Sequence, residues 1–97
     1  MIINCTIELK TLAGDVIMDS DNKAFTLGKA LGNIIVGSEE QGKMKLYILG
    51  TKLFQNKKVE VDEADMNLIK KVVASTKVYG ALIAGQCEQL LEEIKSK

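Results

Sequence analysis

The sequence predicts an α+β domain in which a small N-terminal β-hairpin or three-stranded meander is covered by about four helices. Three observations predict it. Apolar and polar residues alternate at the start of the chain, apolar residues recur at spacings of three and four in four later stretches, and turn or cap residues separate those stretches. Residues 1–97 read as a single domain with room for one core, and no internal repeat, linker or low-complexity tract is evident.

The first strand is predicted from Ile3, Cys5, Ile7 and Leu9 on one face and Asn4, Thr6, Glu8 and Lys10 on the other. Thr11 to Asp15 carries turn residues, so Val16-Ile17-Met18 is expected to return beside that strand as a hairpin. A hairpin alone is marginal and needs a cover. After the polar Asp19 to Lys23, Thr26 caps a first helix carrying Leu27, Ala30, Leu31, Ile34 and Ile35, which Gly37 and Ser38 end. A second helical pattern starts near Gln41. It buries Leu46, Leu49, Leu53 and Phe54, turns Lys45, Lys52 and Gln55 outward, and stops at Asn56-Lys57-Lys58.

Val59-Glu60-Val61 is a short alternating piece placed to add an edge to the hairpin. Asp62 then caps a third helix through Met66, Ile69, Val72 and Val73. Glu63 and Asp65 complement the positive end of its dipole, and Lys70 and Lys71 the negative end. A last helix begins around Val78 or Tyr79, with Leu82, Ile83, Gln86, Cys87, Leu90, Leu91 and Ile94 as its apolar stripe.

Composition narrows the function more by exclusion than by signal. With 46% hydrophobic and 27% charged residues and no proline, the chain lies in the globular range. Its 13 cations balance its 13 anions, so no overall field draws it to nucleic acid, to an acidic membrane or to an acidic substrate. Every cation is lysine, and without arginine there is no planar fork for phosphate or guanine edges. Histidine is absent too, removing the commonest metal ligand and general base. No catalytic residue, metal or cofactor is expected. Cys5 and Cys87 read as small core hydrophobes in a reducing compartment, since no secretory leader precedes them. No apolar run approaches the roughly 20 residues that a bilayer span needs.

Four motifs invite a functional reading. Gly37-Ser38-Glu39-Glu40-Gln41-Gly42-Lys43 has the spacing of a phosphate-cradling loop. Met44 stands where the magnesium-binding hydroxyl belongs, however, and two glutamates occupy the loop. A connection between two helices is the better account, and Gly42 and Lys43 remain only as candidate ligand-binding residues. Asp19-x-Asp21 resembles the start of a calcium loop but fails at Lys23, Ala24 and Ala30. Gly28 with Gly32, and Ala81 with Gly85, place small residues four apart, which permits close helix approach. The carboxylate pairs Glu39-Glu40, Asp62-Glu63 and Glu92-Glu93 do not face one another on a helix, so none is an acid and base pair.

The layout of Phe25-Thr26-Leu27-Gly28-Lys29-Ala30-Leu31, then Lys52-Leu53 before Val59-Glu60-Val61-Asp62, then Leu82-Ile83-Ala84-Gly85-Gln86, resembles small uncharacterised proteins of tailed bacteriophages. The resemblance implies a phage or prophage product at work in a bacterial cytoplasm, as an assembly accessory or an inhibitor of host machinery. The leading expectation is a non-catalytic protein-binding or assembly module that associates with itself and with a host or phage protein. Its candidate interface is the seam of Ile83, Cys87, Leu90, Leu91 and Ile94, which core packing would also explain. The alternatives are sequestration of a small nucleotide between subunits and, less favoured, nucleic-acid regulation. No membrane partner is expected.

Overall fold

Residues 1–38 and 42–94 are described in this computed structural model. They form β1 (Ile2–Asn4), α1 (Leu27–Val36), α2 (Lys43–Gln55), β2 (Lys58–Glu60), α3 (Glu63–Ala74) and α4 (Ala81–Glu92). The α+β class and the four helices hold. The sheet pairs β1 antiparallel with β2, setting Ile2 against Glu60, Ile3 against Val59 and Asn4 against Lys58. Its ends are tied by the amide of Cys5 donating to the Lys57 carbonyl and that of Val61 donating to Met1, each at 2.8 Å.

The piece around Val59 thus pairs with the first strand directly, and Val16-Ile17-Met18 returns antiparallel beside Leu9 and Lys10 as expected, though outside the two-stranded sheet. Beyond Cys5 the chain leaves the sheet and makes three extended legs, centred on Leu9, Ile17 and Phe25. Bridges join Lys10 to Val16, Met18 to Ala24 and Glu8 to Thr26. At the centre the Ile17 amide donates to Leu9, Phe25 to Ile17 and Leu9 to Phe25, at 2.9, 2.7 and 2.9 Å, which closes a ring of three hydrogen bonds. An outer set repeats the relation, with Thr11 donating to Asp15, Asp19 to Lys23 and Leu27 to Ile7. The two tips have left-handed backbone at Gly14 (φ 92°) and Asn22 (φ 59°), as tight reversals require. An eight-residue repeat therefore exists here after all. It is one of backbone geometry, which the side chains do not announce.

Thr26 caps α1 through its hydroxyl, which accepts from the Lys29 amide at 3.4 Å. This helix is the centre of the fold, with Leu27, Ala30, Leu31, Ile34 and Ile35 buried and α2, α3 and α4 packed around it. The α1–α2 contact is made close by glycine. A Cβ on Gly32 would lie 2.8 Å from the Gly50 carbonyl oxygen, and one on Gly50 would lie 2.7 Å from Val36. Ala81 and Gly85 differ: Gly85 borders open space, so that pair brings no helix close. Asp62 caps α3, accepting from the Asp65 amide at 2.7 Å. The last helix starts at Ala81, later than its apolar pattern suggests, because Tyr79 is used in packing. Its hydroxyl accepts from Asn33 Nδ2 at 2.8 Å, and its ring meets Phe25 edge-on with centroids 5.7 Å apart.

Candidate functional site

The groups best suited to chemistry are engaged or buried. Burial raises the Cys5 thiol, and burial together with the neighbouring Glu88 pushes Cys87 up to about 12, so neither is a thiolate near neutral pH. Among the described residues no three of the metal-binding types gather into a site. Asp19 is committed to its own loop. One oxygen accepts from the amides of Asp21 and Lys23 at 2.9 and 3.0 Å, and the other meets Lys29 Nζ at 2.8 Å. Lys29 also donates to the Ala24 carbonyl at 3.2 Å, so one ion pair fastens the second turn of the ring to α1.

The hydrogen bond from Lys29, followed by that from the Lys23 amide, lowers Asp19 to about 2 from an ordinary value of 3.8. Because the folded value is the lower one, the stabilisation is present above pH 3.8 and is lost as the pH falls toward 2. Asp19→Asn is therefore expected to be less stable than the parent at pH 6, with the difference closing near pH 2. Urea unfolding at both pH values checks this.

Gly42 and Lys43 stand side by side at the start of α2. Gly42 is left-handed (φ 82°) and offers no side-chain cap. The apolar Ile34-Ile35-Val36 before them is helix and not strand, so the phosphate-loop spacing occurs without the strand, loop and helix that give it meaning. Glu39, Glu40 and Gln41 lie outside the described residues.

The seam on α4 is placed by its burial. Cys87 and Leu91 are wholly enclosed in this chain's core, while Ile83, Leu90 and Ile94 are half-buried against it. Cys87 and Leu91 are thereby closed to a second chain, while Ile83, Leu90 and Ile94 keep part of their surface. A two-point contact anchors the same helix. The Gln86 side-chain oxygen accepts from the Lys10 amide at 2.8 Å, and its nitrogen donates to the Lys10 carbonyl at 2.7 Å. The amide thus satisfies both backbone groups of Lys10, which take no partner within the ring.

Four of the exposed large apolar side chains lie on α2. Leu46, Leu49 and Leu53 point into the core, but Met44, Tyr47, Ile48 and Phe54 are 74, 63, 48 and 48% exposed. Tyr47 and Ile48 follow Met44 at three and four residues and Phe54 follows Tyr47 at seven, all on the opposite side, so the helix has two apolar faces. Phe54, expected inside, belongs to the outer one. The face continues into an open groove of about 270 Å³ whose walls include Val36, Tyr47 and Phe54 and whose floor includes Gly32 and Gly50. Neither Gly42 nor Lys43 lines it. Lys45 and Lys52, seven residues apart, run along one border of the face. Lys45 pairs with Asp65 at 3.0 Å, whereas Lys52 has no ion-pair partner among the described residues. This second face was present in the spacing of 44, 47, 48 and 54, but an inward stripe on the same helix drew the reading first.

Among the described residues no helix is long and apolar enough to cross a membrane. No protein-family model, curated protein or solved structure matches the chain.

Proposed function

We propose that this chain is a non-catalytic protein-binding or assembly module that presents the outer face of α2 to another protein. The supporting observation is the unpartnered apolar row of Met44, Tyr47, Ile48 and Phe54 beside a groove of its own. Water-exposed apolar side chains aligned on one helix face mark contact surfaces more often than do scattered ones. The groove is open and of modest volume, which suits an inserted side chain better than an enclosed small ligand. The likeness to tailed-phage proteins adds a setting, an assembly accessory or an inhibitor of host machinery in a bacterial cytoplasm. Self-association through the α4 seam is not part of the proposal, because Cys87 and Leu91 are enclosed. Nucleotide sequestration at Gly42 and Lys43 gains no support from the geometry.

A photo-crosslinking residue in place of Tyr47, introduced during expression in bacteria, tests the reading. A discrete protein adduct is expected from that position and none from Ser75, an exposed site at the far end of α3. Absence of any protein adduct at Tyr47 would count against it.

A further inference from the structure

We propose that the occupant of the α2 face is an amphipathic helix with acidic flanks, carried by a chain other than a second copy of this one. The inference rests on the reading of α2 as a docking surface and names what docks there.

Shape comes first. The groove is walled by side chains of α1 and α2, whose own backbone groups are used within the helices. It therefore offers no ladder of amides and carbonyls, and an extended segment laid in it would lose hydration at its backbone without replacement. A helix brings its backbone already satisfied and presents anchors at spacings of three, four and seven residues. At 1.5 Å per residue, α2 gives such a partner about 20 Å of track. Gly32 and Gly50 are among the residues that line the groove, whose concavity fits a ridge of side chains and not a flat lipid face.

Charge then selects among helices. Between positions 42 and 58 the chain has Lys43, Lys45, Lys52, Lys57 and Lys58 and no acid, so all 13 of its carboxylate residues lie elsewhere. The balanced total hides a run of cations in the sequence, of which Lys45 is answered by Asp65 from the start of α3, leaving Lys52 on that border. Lys52, with no ion-pair partner among the described residues, borders the apolar row where the flank of a docked helix would lie. Glutamates on that flank complement it, and lysines there would be repelled. The same lysine disfavours a second copy. Two α2 helices packed antiparallel about a twofold axis meet border to matching border, which brings Lys52 of one chain, free of an ion pair among the described residues, toward that of the other.

The test uses fluorescence anisotropy with two synthetic helical peptides of about 18 residues, long enough to hold a helix. Both carry leucines at spacings of three and four; one has glutamate flanks and the other lysine flanks. The acidic peptide is expected to bind about tenfold more tightly or better, and to weaken as salt rises from about 0.05 to 0.5 M. Lys52→Glu is expected to reverse the preference, and Tyr47→Glu to abolish binding of both peptides, circular dichroism confirming that each variant is folded. The proposal is overturned by binding of neither peptide, by equal binding of both, or by an unchanged preference in Lys52→Glu. Dimerisation abolished by Tyr47→Glu, or preferential binding of phosphatidylglycerol vesicles or duplex DNA, overturns it equally. If it fails while the Tyr47 crosslink stands, only the acidic helix is discarded; if both fail, the docking face goes too.

Discussion

Gly28→Ala is expected to destabilise the chain by about 2 kcal/mol, although alanine is the better helix former. The new Cβ would overlap the Leu53 carbonyl oxygen and lie 2.5 Å from the Cys5 Cβ and 3.1 Å from the Cys5 carbonyl oxygen. Two of these three atoms are backbone and the third is anchored to it, so none swings aside as a long side chain would. Relief requires α1 to move away from α2 and from the strand end, loosening the closest contact of the fold. That strain is about 3 kcal/mol in an overpacked core, against about 1 kcal/mol of helix propensity gained. Gly85→Ala supplies the contrast, because Gly85 is also helical and borders open space. It is expected to gain up to about 1 kcal/mol. Urea unfolding of both variants gives opposite signs, and a Gly28→Ala protein as stable as the parent would show that the two helices are not in such close contact.

Leu91→Asp is expected to abolish cooperative folding. Leu91 is fully enclosed among α4, α1 and α3. Truncating such a leucine costs about 2–5 kcal/mol, and an unpaired carboxylate in its place adds a further desolvation penalty. The sum matches the stability of a typical domain, about 5–15 kcal/mol, and small domains sit at the low end. An interface residue would behave otherwise, giving a folded protein of lower mass. Leu82→Asp, at a position 41% exposed on the same helix, is expected to stay folded. Thermal melts and light scattering on both variants separate the two roles, and a folded Leu91→Asp monomer would return the α4 seam to the list of interfaces.

How much could be read beforehand follows a physical pattern. Helix starts were legible because a cap is a local matter: Thr26 and Asp62 accept from amides three residues on, whatever the rest of the chain does. Burial along the first strand was legible as well, with Ile3, Cys5 and Leu9 inside and Asn4, Glu8 and Lys10 outside. Strand partners were legible only where a local turn dictates them, as in the return of Val16-Ile17-Met18 beside Leu9. Backbone amides pair without regard to side-chain identity, so nothing in Ile3 names Val59, and nothing in Leu9 names Phe25. For the site, apolar spacing identifies a stripe on a helix without saying whose core it enters. The α4 seam is a true stripe of which Cys87 and Leu91 enter this chain's own core. On α2 the inward row of Leu46, Leu49 and Leu53 masked the outward one, since two opposed apolar rows cancel the asymmetry by which a helix face is recognised.

The ring formed by Leu9, Ile17 and Phe25 has a consequence for how the chain tolerates insertions and deletions. Each leg is registered against both others, so removing one residue from any leg displaces its amide from two neighbours at once, and slippage along one pair cannot absorb the error. The first tip behaves in the opposite way. Residues 12–14 project into water and touch the ring only through their stem, so extra residues spliced there lengthen a loop at little entropic expense, whereas the 20–22 tip is held by Asp19, which accepts from the Asp21 amide and pairs with Lys29. The N-terminal quarter thus resembles a clasp with a rigid body and one free handle, the 12–14 tip, well suited to carry a grafted epitope while the helical side stays unchanged.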